Sequence, residues 1–410
     1  MNFTFSKRAR TMSMALMVLG LALAAIGFFS VRNDGHHGGA DAANQNFWAA
    51  LFINGFYFFG IALGALFFYA LQFATESSWS VLVRRVYEGV YSYLPIGAAV
   101  IVLCLLAGQF HMNHVWPWMD HRLFDPADKD HYDAIIAGKS AYLNTFFFWF
   151  RVVVFMGTFL FAANWFRNQS LKMDKLGGDD LRTQHLLTYR RSALFLVVFA
   201  VFSSVLAWDW LMSIDTHWFS TLYGWYVFAG MWCSAMVTSV IVVLYLKSKG
   251  YLSQVNNSHI HDMGKWVFAT SFLWTYLYFS QFMLYWYANI PEEVAYAKMR
   301  IDNYPGLMWG MFFVNFAVPM VLLMSRDAKR NPRFLIGVGT VIFIGHWLDL
   351  CQMVLPGALG EHFHHVGALE FGLMLFFLGL FVMTVLRTLT KAPLTVVNSP
   401  YLEESVHHSI

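Results

Sequence analysis

Runs of about twenty apolar residues recur ten times along this 410-residue chain, at 11–31, 47–73, 92–110, 143–166, 192–210, 218–246, 264–287, 306–324, 334–354 and 367–390. At about 1.5 Å per helical residue, each run is long enough to cross a hydrocarbon core of roughly 30 Å. A segment inside such a core must satisfy its own backbone N–H and C=O groups, and an α-helix does so. The recurrence therefore predicts an all-α polytopic membrane protein of about ten transmembrane helices. Composition agrees, because only 12% of the residues are charged and 58% are hydrophobic, too little charge for a soluble surface of this size. The first run follows MNFTFSKRAR and mimics a secretory signal, but its apolar part is longer than a signal core. A retained first helix is expected.

Basic residues set the orientation. With the N-terminus cytoplasmic, twenty of the 27 Lys and Arg fall in inner segments, among them Lys7, Arg8, Arg84, Arg85, Arg167, Arg190, Arg191, Arg330 and Arg387. Six fall outside: Arg32, Arg122, Lys129, Lys139, Lys298 and Arg300. The positive-inside rule then predicts both termini in the cytoplasm. Two outer segments, 111–142 and 288–305, are long enough to carry structure of their own.

Several chemistries are argued against. Cys104, Cys233 and Cys351 each lie in an apolar run and form no CxxC, haem-attachment or Cys/His metal spacing, so reduced buried or lipid-facing thiols are expected. A membrane haem needs paired deep histidines; only His346 is deep, while His111, His114 and His217 are interfacial. The stretch EHFHH at 361–365 reads as a polar loop rather than a metal site. No nucleotide-binding loop, nucleophile elbow or zinc-protease motif occurs, and no nucleic-acid partner is expected.

Charge inside the spans is the informative remainder. Residues 207–225, AWDWLMSIDTHWFSTLYGW, join the fifth and sixth runs. Their four tryptophans suit a headgroup boundary, which leaves Asp209, Asp215 and His217 to explain. Arg151 lies about eight residues into the fourth run, about 12 Å deep. Its insertion cost of about 2.5–3.5 kcal/mol is offset by the surrounding FFFWFRVVVFMGTFLF, at about 0.3–0.6 kcal/mol per strongly apolar residue. Such an arginine either snorkels outward or pairs inside the bundle. His346 and Asp349, three apart in the ninth run, share a helix face. Glu370 sits about one turn into the tenth run, at a depth matching Asp209. These two are expected nearer to solvent than Asp349.

The inner half offers hydroxyls and amides instead, such as Gln72, Ser239, Thr275, Ser280 and Asn315, so the polar path is one-sided. Carboxylates with a histidine on facing helices relay protons, or accept them from a quinol entering from the lipid. An Arg151–Asp pair that only locks the bundle is the simpler alternative.

WSVLVRRVYEGVYSYLP (79–95), AWDWLMSIDTHWFSTLYGWYVFAG (207–230), YWYANIPEEVAYAKMR (285–300) and GHWLDLCQMVLPG (345–357) together resemble the NrfD-like integral membrane family. Within that family they resemble the ActF-type subunits of alternative complex III. The resemblance implies two four-helix bundles, in 47–210 with its outer loop and in 211–357. A first helix (1–46) and a tenth helix with its tail (358–410) flank them. Trp208-Asp209 and Trp347-Leu348-Asp349 would close the respective bundles near their outer ends.

The resemblance further implies a subunit of a quinol:cytochrome c, or quinol:oxidase, oxidoreductase of a bacterial inner membrane. No redox cofactor would sit on this chain. Iron–sulfur clusters and haem c would belong to partner iron–sulfur and multihaem cytochrome subunits, beside an ActC-like sister subunit and a terminal oxidase. Menaquinol or ubiquinol and lipid are the small molecules in reach. A proton pathway or a quinone-proximal site is the role left to this chain. An ion-coupled transporter working alone would place Gly/Pro breaks near mid-membrane in both halves; Pro95 and Pro319 lie instead near the ends of their runs. A purely structural scaffold is the third expectation.

Overall fold

The computed structural model describes residues 3–33, 39–360 and 366–409; the EHFHH stretch lies outside the described residues. Ten long helices follow one another: α1 (Lys7–Asn33), α2 (Ala40–Ala74), α3 (Leu94–Gln109), α4 (Thr145–Met173), α5 (Gly178–Trp210), α6 (Tyr223–Ser248), α7 (Asn257–Ala288), α8 (Pro305–Leu322), α9 (Pro332–Leu359) and α10 (Ala368–Leu389). Two shorter helices matter below: Arg84–Tyr91, which leads into α3, and Pro291–Asn303, between α7 and α8. No strand occurs among the described residues. The chain is an all-α polytopic membrane protein.

Nine of the helices among the described residues are long and apolar enough to span a membrane; α7 does not reach the same hydropathy. Its 32 residues suffice in length, but WTYLYFSQFMLYWYA replaces aliphatic side chains with polar-tipped rings. Its crossing follows from parity. Thr4, near the N-terminus, hydrogen-bonds the Tyr251 hydroxyl, and Asn256 donates to the carbonyl of His408 near the C-terminus. Both ends therefore meet the same α6–α7 connection and share one face, which requires an even number of crossings. Exposed Phe146, Val153, Phe161 and Val197 on the outward sides of α4 and α5 suit lipid, not water.

Helices α2, α3, α4 and α5 pack each on the next, and α5 returns to α2; α6, α7, α8 and α9 close in the same way. The two rings meet along α2 and α6, reinforced by α5 on α6 and α9 on α2. Helix α2 is buried on nearly every side of its middle turns, as fits a helix apolar all round. Outside the rings, α1 lies along α10, and α10 on α2. That contact is backbone to backbone: a Cβ on Gly20 would lie 2.4 Å from the Phe376 nitrogen, and one on Gly372 would lie 2.3 Å from the Ala24 nitrogen.

The two faces of the bundle differ. On the termini face, Glu88 is buried among Arg85 Nη1 (2.7 Å), Ser170 Oγ (2.6 Å) and Arg167. Arg85 also reaches Asp174, so these cations are tied into a network rather than free in a loop. The tail crosses the same face, with Val397 N–H on Asp174 (3.0 Å) and Ser405 Oγ on the Trp79 carbonyl (3.1 Å). On the loop face, the segment between α3 and α4 folds back over the first ring, where Trp116 Nε1 donates to the Trp210 carbonyl at 3.0 Å.

Candidate functional site

Arg151 and Asp209 find each other in the first ring. Helix α4 starts at Thr145, capped by the Asn144 side chain, so Arg151 lies six residues, about 9 Å, along the helix. Its Nε and Nη2 bind the two Asp209 oxygens at 2.6 and 3.0 Å, and Nη1 binds the Tyr142 carbonyl at 3.2 Å. The guanidinium also lies over the Tyr142 and Phe147 rings, at 4.0 and 4.3 Å. Both charged groups are buried. A bidentate pair with each guanidinium nitrogen hydrogen-bonded is a closed unit. Asp209 is fully enclosed, contrary to the expectation that it lies nearer solvent.

The second ring holds its acid differently. Asp349 on α9 is buried and receives neutral donors: the Tyr226 hydroxyl from α6 on Oδ1, and Trp274 Nε1 from α7 on Oδ2 at 2.8 Å. His346, one turn earlier on α9, brings Nδ1 to 4.0 Å from Asp349 Oδ2, too far for a direct hydrogen bond. Neither of its buried ring nitrogens makes a direct hydrogen bond, and the Cys233 thiol of α6 is an electrostatic neighbour of the ring. Gly230 of α6 stands opposite, leaving the space beside the pair open. An acid with neutral donors and an imidazole one gap away, with no direct hydrogen bond, is an arrangement that can exchange a proton.

Above this pair, toward the loop face, lies Arg300. It comes from the short helix Pro291–Asn303 and is 1% exposed. Nη2 binds Asp215 at 2.9 Å and the Met353 carbonyl at 3.2 Å, while Nε binds the Gln352 carbonyl at 3.1 Å. Its charge stacks on the Tyr296 ring at 3.4 Å. Three hollows continue this line. A surface hollow of about 300 Å³ is bordered by Asp215, His217, Glu292 and Tyr296. Tyr296 separates it from a cavity of about 30 Å³ that Arg300, Tyr226, Tyr278 and Gln352 line. Tyr226 and Met353 lead on to another of about 30 Å³, lined by Asp349, His346, Ser234 and Tyr57. Each small cavity has room for about one or two waters.

The sequence candidates thus separate. Asp215, His346 and Asp349 join one line; Arg151 and Asp209 form a pair of their own. His217 borders the surface hollow but binds Asp133 at 2.6 Å and is 60% exposed on its side chain. Glu370 is buried, against the expectation of solvent, because its carboxylate accepts the Gly367 N–H at 2.8 Å and caps α10. Arg300, Tyr226 and Trp274 were not singled out: one looked like a loop cation, the others like core aromatics. Pro356, four residues after Gln352, was the available signal for Arg300. Cys104, Cys233 and Cys351 are buried. Among the described residues, no three His, Cys, Asp or Glu cluster to hold a metal. Neither a protein-family model nor a curated protein sequence matches this chain.

Proposed function

We propose that this chain is the ActF-type, NrfD-like membrane subunit of a quinol:cytochrome c or quinol:oxidase complex, and that its second ring carries a proton route. The complex belongs to the bacterial inner membrane, with both termini of this chain cytoplasmic. Quinol oxidation and electron transfer take place on partners: an ActC-like sister subunit, an iron–sulfur subunit and multihaem cytochromes that hold the clusters and haem c. Electrons leave to a terminal oxidase. This chain contributes the two rings and the route, and holds no redox cofactor.

The observation that carries the route is the line from Asp215 through Arg300 to Asp349 and His346, with two water-sized cavities that share Met353 as a wall, and Tyr226 reaching from one of them to Asp349. Buried arginine, carboxylate and histidine facing such cavities are the usual hardware of intramembrane proton transfer. Beyond His346 the second ring offers only neutral groups nearby, such as Ser234 and the Cys233–Ser271 contact at 3.3 Å. The route therefore opens to the loop face and stops within the membrane. Release of quinol protons on that face is the event it serves.

Affinity purification of the tagged chain from native membranes tests the reading. Iron–sulfur and multihaem subunits should co-purify in fixed ratio, with quinol:cytochrome c activity. A chain that purifies alone, with the activity intact in the depleted membranes, would overturn it.

A further inference from the structure

Two other hollows lie on the lipid side of the protein, along one face of α5. Ala200, Ser204 and Trp208 follow at four-residue steps and form a single stripe, which Met212 continues in the turn just past the helix end. At its deeper end the stripe borders a groove of about 140 Å³ between α2, α5 and α6, walled by Phe67, Phe199, Trp225 and Phe228. Ser203 and Ser204 turn their hydroxyls onto the Ala200 carbonyl, at 3.4 and 3.0 Å, so the groove keeps an apolar lining. Ala200 and Trp225 are exposed at its mouth. For scale, an apolar cavity of about 150 Å³ stays dry and takes up benzene.

At the loop-face end the stripe borders a hollow of about 300 Å³, lined also by Lys139, Thr216 and Phe219. Two donors there form no ion pair among the described residues, and Asp133, the carboxylate whose charge reaches Lys139, is itself bound to His217. Trp208 Nε1–H is buried without any hydrogen-bond acceptor. The Lys139 ammonium donates to the Thr216 carbonyl and lies 6.0 Å from the Phe219 ring, but forms no ion pair among the described residues. The hydroxyls of Thr216 and Ser213 are spent on backbone carbonyls, and no carboxylate lines the hollow. Trp208 stands eight residues from Ala200, about 12 Å along the helix.

We infer that this stripe binds an anionic phospholipid of the loop-face leaflet, with its phosphate between Trp208 and Lys139 and one acyl chain in the groove beside Ala200. A free phosphate would use the hollow and leave the groove empty. A zwitterionic headgroup would bring a second cation beside Lys139 with no carboxylate to receive it. The headgroup hollow shares only Thr216 and Trp218 with the surface hollow at the mouth of the Asp349 line. Lys139, Trp208 and Ala200, which the variants change, line none of that line's three hollows, so the site is tested apart from the proposed function.

Native mass spectrometry of the full chain in detergent, titrated with phosphatidylglycerol or phosphatidylethanolamine, tests the assignment. The unmodified chain should retain one phosphatidylglycerol and prefer it at least about tenfold, the factor that a single charge-assisted hydrogen bond supplies. W208F keeps the ring and removes the N–H; K139Q removes the charge. K139Q should weaken phosphatidylglycerol about tenfold and erase its preference over phosphatidylethanolamine, whereas W208F acts on the phosphate that both lipids carry and should weaken both. A200W fills the groove and should weaken both lipids. Equal affinity for the two lipids in the unmodified chain would overturn the site without any variant. Displacement of the lipid by millimolar inorganic phosphate would overturn the acyl-chain half and reduce the site to an anion pocket.

Discussion

Arg300 donates from Nε to the Gln352 carbonyl, the one carbonyl in that turn of α9 that Pro356 leaves without a helical donor. In an α-helix the carbonyl of residue 352 receives the N–H of residue 356, and proline has none. The loop-face helix Pro291–Asn303 therefore repairs a defect in a membrane span, and the repairing group is a buried cation held by Asp215. Structure and proposed route meet at this residue.

R300M should destabilise the protein by about 3–5 kcal/mol, because Asp215 is left without its partner and the Gln352 carbonyl without a donor. R300K should recover little, since one ammonium cannot reproduce a planar fork with several acceptors. P356A restores the missing N–H to α9. Thermal unfolding in detergent should show R300M/P356A costing less than the sum of its single changes. Strict additivity would mean that the carbonyl contact is incidental.

Arg151 and Asp209 should behave as a lock. R151M or D209L alone exposes one buried charge and should cost about 3–5 kcal/mol, whereas R151M/D209L should be near neutral. If the quinol turnover of the proposed complex survives the double change, the first ring has a structural role. Loss of turnover with normal stability would move the functional site to that ring.

Much of the fold was legible because backbone satisfaction in lipid forces long apolar helices, whose lengths survive any uncertainty about packing. The α7 run was found despite its low hydropathy, since rings and aliphatics look alike to an apolar-run reading. The partners of charges were far less legible. Arg151 was as compatible with Asp349 as with Asp209, because depth along a helix says nothing about which neighbour it faces. Asp209 and Glu370 lie close to helix ends, where solvent is the default, and only three-dimensional packing enclosed them. Arg300 came from a loop that folds back into the bundle, a long-range event with no periodic signature.

Helix α1 meets α10 by close backbone approach, so G372L should detach it from α10. A Cβ at Gly372 already falls 2.3 Å from the Ala24 nitrogen, and neither backbone can move without the other. Cysteine crosslinking between the two helices should fall sharply in G372L, while the rings keep their unfolding temperature to within a few degrees. A large loss of ring stability would mean that α1 and α10 belong to the core.

Both termini lie on one face, and the excess of Lys and Arg there predicts that this face is cytoplasmic. A reporter active only in the cytoplasm, fused to the C-terminus, should work, and a periplasm-active reporter should fail. The opposite pattern would invert the chain and move the Asp215 opening to the cytoplasm.

The proton route can be separated from its scaffold at Asp349. D349N keeps the shape and still offers an oxygen to Tyr226 or Trp274, but it removes the titratable site. The complex should retain its subunits while proton release per electron or quinol turnover falls. Gly230 supplies an independent change that leaves the acid in place. A Cβ there would lie 3.8 Å from both Asp349 Oδ2 and His346 Nδ1, at ordinary contact distance, so G230A fits without strain. Those two atoms are 4.0 Å apart, a gap that a water can bridge and a direct hydrogen bond cannot. The added methyl takes the space such a water needs. Transfer between Asp349 and His346 should therefore slow in G230A with unfolding temperature nearly unchanged, whereas a merely structural Asp349 would leave turnover untouched. Normal proton release and turnover in both D349N and G230A would remove the pair from the route.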